Sequence, residues 1–212
     1  MAVRSGDGAP TTGASALWDE VYAERAPTSV SWYQRTPAVS LRLITSLASP
    51  ESPVVDVGAG ASLLVDELLA LGFSDLTLVD VSRVALDDDA RRLGPGAPVA
   101  FVHSDVLEWA PATRYEVWHD RALFHFLTDP RDQRRYVEVT ERAVVRGGHV
   151  VLGCFGEDGP TQCSGLPVAR HSAADLAAIF APGYSLEASE REVHHTPSGA
   201  VQSFTWVTLR RE

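Results

Sequence analysis

An apolar run that ends in an acid and two spaced glycines constrains this chain more than any other stretch: Val54-Val55-Asp56-Val57-Gly58-Ala59-Gly60-Ala61-Ser62. It predicts a buried first strand of a parallel sheet that runs through a tight turn into a helix. Glycine lets the backbone turn sharply and approach a ligand with no Cβ in the way. The helix that follows aims its free N–H groups at the same crevice. A lone Gly-x-Gly admits any nucleotide, so the rest of the chain has to supply its partners.

Those partners recur in strand–helix alternation. Residues 39–47 predict a helix led by Pro37, with Val39, Leu43, Ile44 and Leu47 as its buried stripe. Residues 76–79 read as the second strand, ending at Asp80, and Ser82 can cap a helix to about Leu93. Residues 99–102 are a third strand that runs out to Asp105, and 115–118 a fourth. Asp129-Pro130 starts a helix that reaches Gly147-Gly148, and 149–155 form a fifth strand. Ser172 caps a last helix, ending near Phe180. Two extended runs, 184–195 and 200–210, then flank Thr196-Pro197-Ser198-Gly199 as a hairpin. The expected fold is α/β: a doubly wound, Rossmann-like, seven-stranded and mostly parallel sheet with an antiparallel C-terminal hairpin and helices on both faces. A length of 212 residues, 45% of them hydrophobic, suits one core. Residues 1–14 are expected to be a disordered tail and 15–212 one domain, in which 15–36 carry an aromatic cluster.

Charge and cysteine usage narrow the function classes. A net charge of −10 offers no basic face for phosphates, which disfavours nucleic acid as a partner. No apolar run approaches the ~18 residues of a membrane span, and residues 1–13 lack the apolar core of a signal peptide. The cytoplasm is the expected compartment. Cys154 and Cys163 are too few for a disulfide scaffold. They could bind a soft metalloid or an acceptor sulfur, or be inert buried thiols; no third ligand lies nearby in sequence, so no metal is expected.

Asp56, Asp80 and Asp105 each lie at or near the C-terminal end of an expected strand. In a parallel sheet those ends share one crevice. Each acid alone could equally be the N-cap of the next helix; three in one topological position after a glycine turn point to a nucleoside. A dinucleotide site wants a third glycine under the pyrophosphate, and Leu63 stands there instead. Asp56 inside the strand repels a pyrophosphate and suits a cationic ligand. A nicotinamide oxidoreductase is weakened on both counts.

These residues resemble a class I S-adenosylmethionine-dependent methyltransferase. Asp56-Val57-Gly58-Ala59-Gly60 is similar to the first motif of that family, Val79-Asp80-Val81-Ser82 to the second and Ser104-Asp105-Val106 to the third. The resemblance implies S-adenosyl-L-methionine as cofactor and S-adenosyl-L-homocysteine as product. It places Gly58 and Gly60 under the methionine portion and ribose, Asp56 close to the amino group and Asp80 at the ribose hydroxyls, and it counts Ser62, Ser82 and His119 among the cofactor-binding residues. Asp105 would face the adenine amine, with Val81 and Val106 on the ring. Trp18, Tyr22, Trp32 and Tyr33 resemble the N-terminal cover of thiopurine-type and some lysine-directed methyltransferases. Read from the residues alone, the same rings could pack a core edge.

The acceptor is expected beyond the fourth strand, at residues 118–126, where no Asn-Pro-Pro-Tyr or Asp-Pro-Pro-Tyr occurs. His119 and His125 are candidate general bases or core histidines. Asp120 and Arg121 could orient the acceptor or pair with each other, and an Arg121/Arg170 pair would favour a carboxylate-bearing acceptor. A small-molecule acceptor leads. A basic protein methylated on lysine is the alternative, and a cofactor-binding regulator without transferase activity is a third reading. Either a monomer or a homodimer is compatible with the sequence.

Overall fold

In the computed structural model, which describes residues 4–5 and 12–212, one eight-stranded sheet carries the chain. Its strands are β1 (Arg4–Ser5), β2 (Val54–Val57), β3 (Leu76–Asp80), β4 (Val99–His103), β5 (Tyr115–Arg121), β6 (Val144–Phe155), β9 (Tyr184–His195) and β10 (Val201–Arg211). A separate two-stranded ribbon is made by β7 (Gln162–Cys163) and β8 (Leu166–Pro167). The order across the large sheet is β1-β4-β3-β2-β5-β6-β10-β9. All pairs from β1 to β6 are parallel, and β10 is antiparallel to both neighbours. Without the two-residue edge strand β1, this is the expected seven-stranded sheet with a reversed terminal hairpin.

Among the described residues six helices accompany it: α1 (Thr12–Glu24), α2 (Ala38–Leu47), α3 (Leu64–Ala70), α4 (Arg83–Leu93), α5 (Pro130–Ala143) and α6 (Ala173–Phe180). Leu43, Ile44, Leu64 and Leu86, from α2, α3 and α4, pack one face of the sheet with Phe204 and Trp206. Tyr136, Val139, Leu176 and Phe180, from α5 and α6, pack the other face around Trp118. Each such buried side chain contributes ~1.5–3 kcal/mol to holding the layers together. Helix starts follow local chemistry. Ser82 accepts from Ala85 N at 3.2 Å, Asp129 from Arg131 N at 2.8 Å, and Ser172 forms a reciprocal capping box with Asp175.

Three boundaries differ from the sequence expectation. α5 stops at Ala143, and Gly147-Gly148 lie inside β6, where Gly147 takes φ +79° as an irregularity rather than as a helix stop. β5 runs on through His119-Asp120-Arg121, because those polar side chains find partners in the interior. α1 begins at Thr12. Of the expected 1–14 tail, residues 1–3 and 6–11 lie outside the described residues, and Arg4–Ser5 pairs in parallel with β4. Among the described residues no helix is long and apolar enough to cross a membrane.

Candidate active site

The turn after β2 holds Gly58 at φ +62° and Gly60 at φ +55°, both in the left-handed region that favours glycine. A Cβ on Gly58 would sit 2.6 Å from Leu123 Cδ1, and one on Gly60 would collide with the Tyr22 hydroxyl. Both glycines therefore make room for close approach as well as for the turn. Asp80, at the end of β3, fastens this turn from the neighbouring strand: Oδ2 accepts from Gly60 N at 2.8 Å and Oδ1 from Ser82 N at 2.7 Å. Burial raises its pKa to about 6, against the pull of those two N–H donors.

A cavity of about 440 Å³ opens at these strand ends, inside the ~300–1,000 Å³ range of small-molecule sites. Asp80, Val81, Asp105 and Val106 line one end of it and Gly58 lines it from the turn. Asp105 Oδ1 also accepts from Leu107 N at 2.9 Å, which fixes the carboxylate at the rim. Leu123, Phe126, Cys163 and Leu166 line it as well; Cys163 is one of the two candidate thiols of the sequence, and the other three carry no such signal there. Leu123 and Phe126 fall in the expected acceptor stretch, whereas Cys163 and Leu166 arrive on the β7–β8 ribbon, whose sequence carries no periodic signal.

Trp18, Tyr22 and Trp32 line this cavity as one ring cluster. Trp18 meets Trp32 edge-on at 5.8 Å and Phe126 at 5.3 Å, and Tyr22 meets Trp32 at 6.2 Å. Helix α1, which carries two of these rings, is anchored by Asp19. Its Oδ1 accepts from the Ser82 hydroxyl at 2.7 Å and from Val84 N at 3.1 Å, so it caps α4 from outside. Ser82 lines neither cavity described here; its backbone meets Asp80 and its hydroxyl meets Asp19.

A second, smaller cavity of about 40 Å³ is lined by Asp56, Gly58, Ser62, His119, Tyr33 and Arg121, among others. Asp56 and His119 are cross-strand neighbours in register, and Nδ1 of His119 donates to Asp56 Oδ1 at 2.7 Å. Nε2 of the same ring is buried without a partner. The Ser62 hydroxyl accepts from Leu64 N at 3.1 Å at the start of α3.

The expected catalytic segment divides. Asp120 lines neither cavity. It is fully buried, Oδ1 accepts from Leu123 N and Phe124 N at 3.0 and 3.3 Å, and Oδ2 accepts from the Tyr136 hydroxyl at 2.5 Å. It braces the turn in which Ala122 takes φ +72°, a strained value for a residue with a Cβ. Asp120 and Arg121 do not pair, because successive strand residues point to opposite faces. His125 is sealed between Phe126 and Phe155 at 4.6 and 4.3 Å, and burial, then Arg121 and His171, lower its pKa to about 3. It is a core histidine and lines neither cavity. Arg121 lines both cavities. Arg170 is exposed and donates to Gly159 O at 3.4 Å, so the expected Arg121/Arg170 pair does not form at the cavity. Cys154 is buried and Cys163 has its thiol pushed up to about 11 by burial. Among the described residues no three His, Cys, Asp or Glu side chains group as metal ligands.

No family model matches the chain. Over 137 residues it is 28% identical to the eEF1A lysine and N-terminal methyltransferase of Mus musculus, covering 63% of this chain and 19% of that protein. Over 121 residues it is 26% identical to nodulation protein S of Rhizobium tropici, covering 57% of this chain and 50% of that protein. The chain thus spans half or less of the length of these curated relatives. Among solved structures, a Burkholderia thailandensis 1,6-didemethyltoxoflavin-N1-methyltransferase with bound 1,6-didemethyltoxoflavin and S-adenosylhomocysteine matches with a TM-score of 0.68 and 18% identity, over 98% of this chain and 94% of that one.

Proposed function

We propose that this chain, which has the class I S-adenosylmethionine-dependent methyltransferase fold, moves a methyl group from S-adenosylmethionine to a nucleophile on a small molecule. The observation that carries the reading is the convergence of Asp80, Asp105 and Gly58 on one cavity roofed by Trp18, Tyr22 and Trp32. The residues present fit the cofactor. Asp80 can accept from ribose hydroxyls, Asp105 from an exocyclic amine, and Val81 and Val106 offer apolar contact to a ring. Asp56 and the free Nε2 of His119 suit an ammonium at the smaller cavity. A pyrophosphate beside Asp56 would meet a like charge.

When bound, the cofactor supplies an electrophilic methyl on a sulfonium. The chain's own part is alignment and exclusion of water. Leu123, Phe126 and Trp18 give the acceptor an apolar bed, and the aromatic roof shuts out solvent. Neither His125, sealed off, nor Cys163, with its raised thiol pKa, is equipped to take a proton there. His119 lines only the smaller cavity, so at the larger one the acceptor arrives with its lone pair already free. Asp120 serves the reaction only by holding the Ala122–Phe124 turn. The chain would work in the cytoplasm as a monomer or homodimer, without a metal.

Protein lysine methylation is the second reading, favoured by the mouse relative. Release of S-adenosylhomocysteine is measured with purified protein against amines, carboxylates, thiols and basic peptides. Turnover on small acceptors supports the first reading. Turnover confined to peptides supports the second, and cofactor binding with no turnover on any acceptor supports a regulatory module.

A further inference from the structure

Arg121 is a cation in the interior that no carboxylate among the described residues neutralises by contact. Its Nη1 donates to Trp32 O at 2.9 Å, and its guanidinium lies 4.8 Å over the Phe204 ring. Nε and Nη2 are buried and have no hydrogen-bond partner. The acids nearest in effect, Glu192 and Asp56, are engaged elsewhere. Glu192 accepts from Gln34 Nε2 at 2.6 Å and from Trp206 Nε1 at 2.8 Å, while Asp56 accepts from His119. A buried charge without a partner is costly, and burial pulls the Arg121 pKa down to about 10. Nε and Nη2 form one edge of the planar fork, the edge that grips a carboxylate through two parallel hydrogen bonds. Among the described residues Arg121 is also the only Lys or Arg lining either of the two cavities at the strand ends, and the larger of them is otherwise mostly apolar.

We propose that Arg121 is a carboxylate receptor at the junction of the two cavities, and that the acceptor is a flat, largely apolar molecule bearing a carboxylate. This rests on the methyltransferase reading for its cavity and names the substrate class of that same site. A carboxylate docked on the Nε–Nη2 edge completes the fork, while Trp18, Phe126 and Leu123 take up the apolar body. A lysine ammonium would meet a like charge at this point, which sets the inference against the protein-substrate reading. The same chemistry could come from the methionine tail of the cofactor, so the test has two arms.

In the acceptor arm, naphthalene-2-carboxylate and naphthalene-2-carboxamide are titrated into wild type, Arg121→Met and Arg121→Lys by tryptophan fluorescence, with and without saturating S-adenosylhomocysteine. In the cofactor arm, S-adenosylhomocysteine is compared with 5′-methylthioadenosine, which lacks the amino-acid tail. Wild type should prefer the carboxylate over the amide by roughly ten- to hundred-fold, the worth of a hydrogen bond to a charged group. Arg121→Met should erase that preference, and Arg121→Lys should keep part of it. Both variants should bind 5′-methylthioadenosine like wild type, which also shows that they are folded. Loss confined to S-adenosylhomocysteine would leave Arg121 a carboxylate receptor and assign the carboxylate to the cofactor, overturning the acceptor class. No carboxylate preference in wild type, together with an unchanged ratio of the two nucleosides in Arg121→Met, overturns the proposal altogether. If wild type fails to bind S-adenosylhomocysteine, the methyltransferase reading falls, while the naphthalene pair still measures the receptor.

Discussion

Replacing Asp19 by alanine should speed the loss of bound S-adenosylhomocysteine, because that carboxylate is what fastens the aromatic roof. Asp19 Oδ1 accepts two hydrogen bonds across 63 and 65 residues of sequence, from the Ser82 hydroxyl at 2.7 Å and Val84 N at 3.1 Å. A hydrogen bond to a charged group contributes ~1.5–3 kcal/mol, and an external cap of a helix N–H ~0.5–2 kcal/mol. Asp19 is only half-buried, so solvent screening brings the pair to about 2 kcal/mol in total. That is a factor of about 30 in the closed-roof equilibrium, since each 1.4 kcal/mol is ten-fold. Stopped-flow fluorescence of Trp18 and Trp32 reads the dissociation rate. Asp19→Ala should dissociate about 30-fold faster, at a melting temperature close to wild type. Asp19→Asn keeps an acceptor oxygen and should recover most of the effect. A rate for Asp19→Ala within two-fold of wild type would refute the latch.

Two further outcomes follow from the same geometry. Asp80 has its pKa raised from 3.8 to about 6, so between those values its carboxyl binds more proton in the folded state than in the unfolded one; its own contribution, read as wild-type stability minus that of Asp80→Asn, should fall as pH rises from about 4 to about 6 and level off above. Accepting from ribose hydroxyls needs the ionised form, so S-adenosylhomocysteine affinity should be full above about pH 6 and fall about ten-fold per unit below it. Calorimetry across pH 4.5–8 checks this, and an inflection that survives in Asp80→Asn would reassign it. Separately, Gly60→Ala places a Cβ against the Tyr22 hydroxyl at φ +55° and should cost about 1–2 kcal/mol in urea unfolding from the backbone alone. The clash with the hydroxyl adds to that loss, and Tyr22→Phe should recover the added part; strict additivity of the two changes would break the contact argument.

Much of this was legible in the residues because its causes are local. A short valine-rich run gives β2, a Gly-x-Gly gives the turn, and Ser82, Asp129 and Ser172 cap their helices by local hydrogen bonds. Asp56, Asp80 and Asp105 could be placed together because parallel strands share their C-terminal ends. The misplacements have a common cause. His119-Asp120-Arg121 reads as polar and loop-like, yet β5 continues through it, since Asp56, Tyr136 and Trp32 on other elements satisfy those side chains. Gly147-Gly148 reads as a stop, yet a glycine at φ +79° is absorbed within β6. Asp120 and His125 have the chemistry of catalysts; only tertiary packing shows that one braces a turn and the other is sealed among Phe126 and Phe155. The roles of Asp19 and of the β7–β8 ribbon depend on contacts between distant segments, which no spacing rule encodes.

The central claim is that the acids at the ends of β3 and β4 hold an adenosyl cofactor over the glycine turn. Titration calorimetry of S-adenosylhomocysteine into wild type and Asp80→Ala tests it most directly. The account predicts saturable one-to-one binding by wild type, weakened about ten-fold or more in Asp80→Ala, the loss expected when hydrogen bonds to a charged group are removed. Equal affinity in the two proteins, or no binding by wild type, would contradict it.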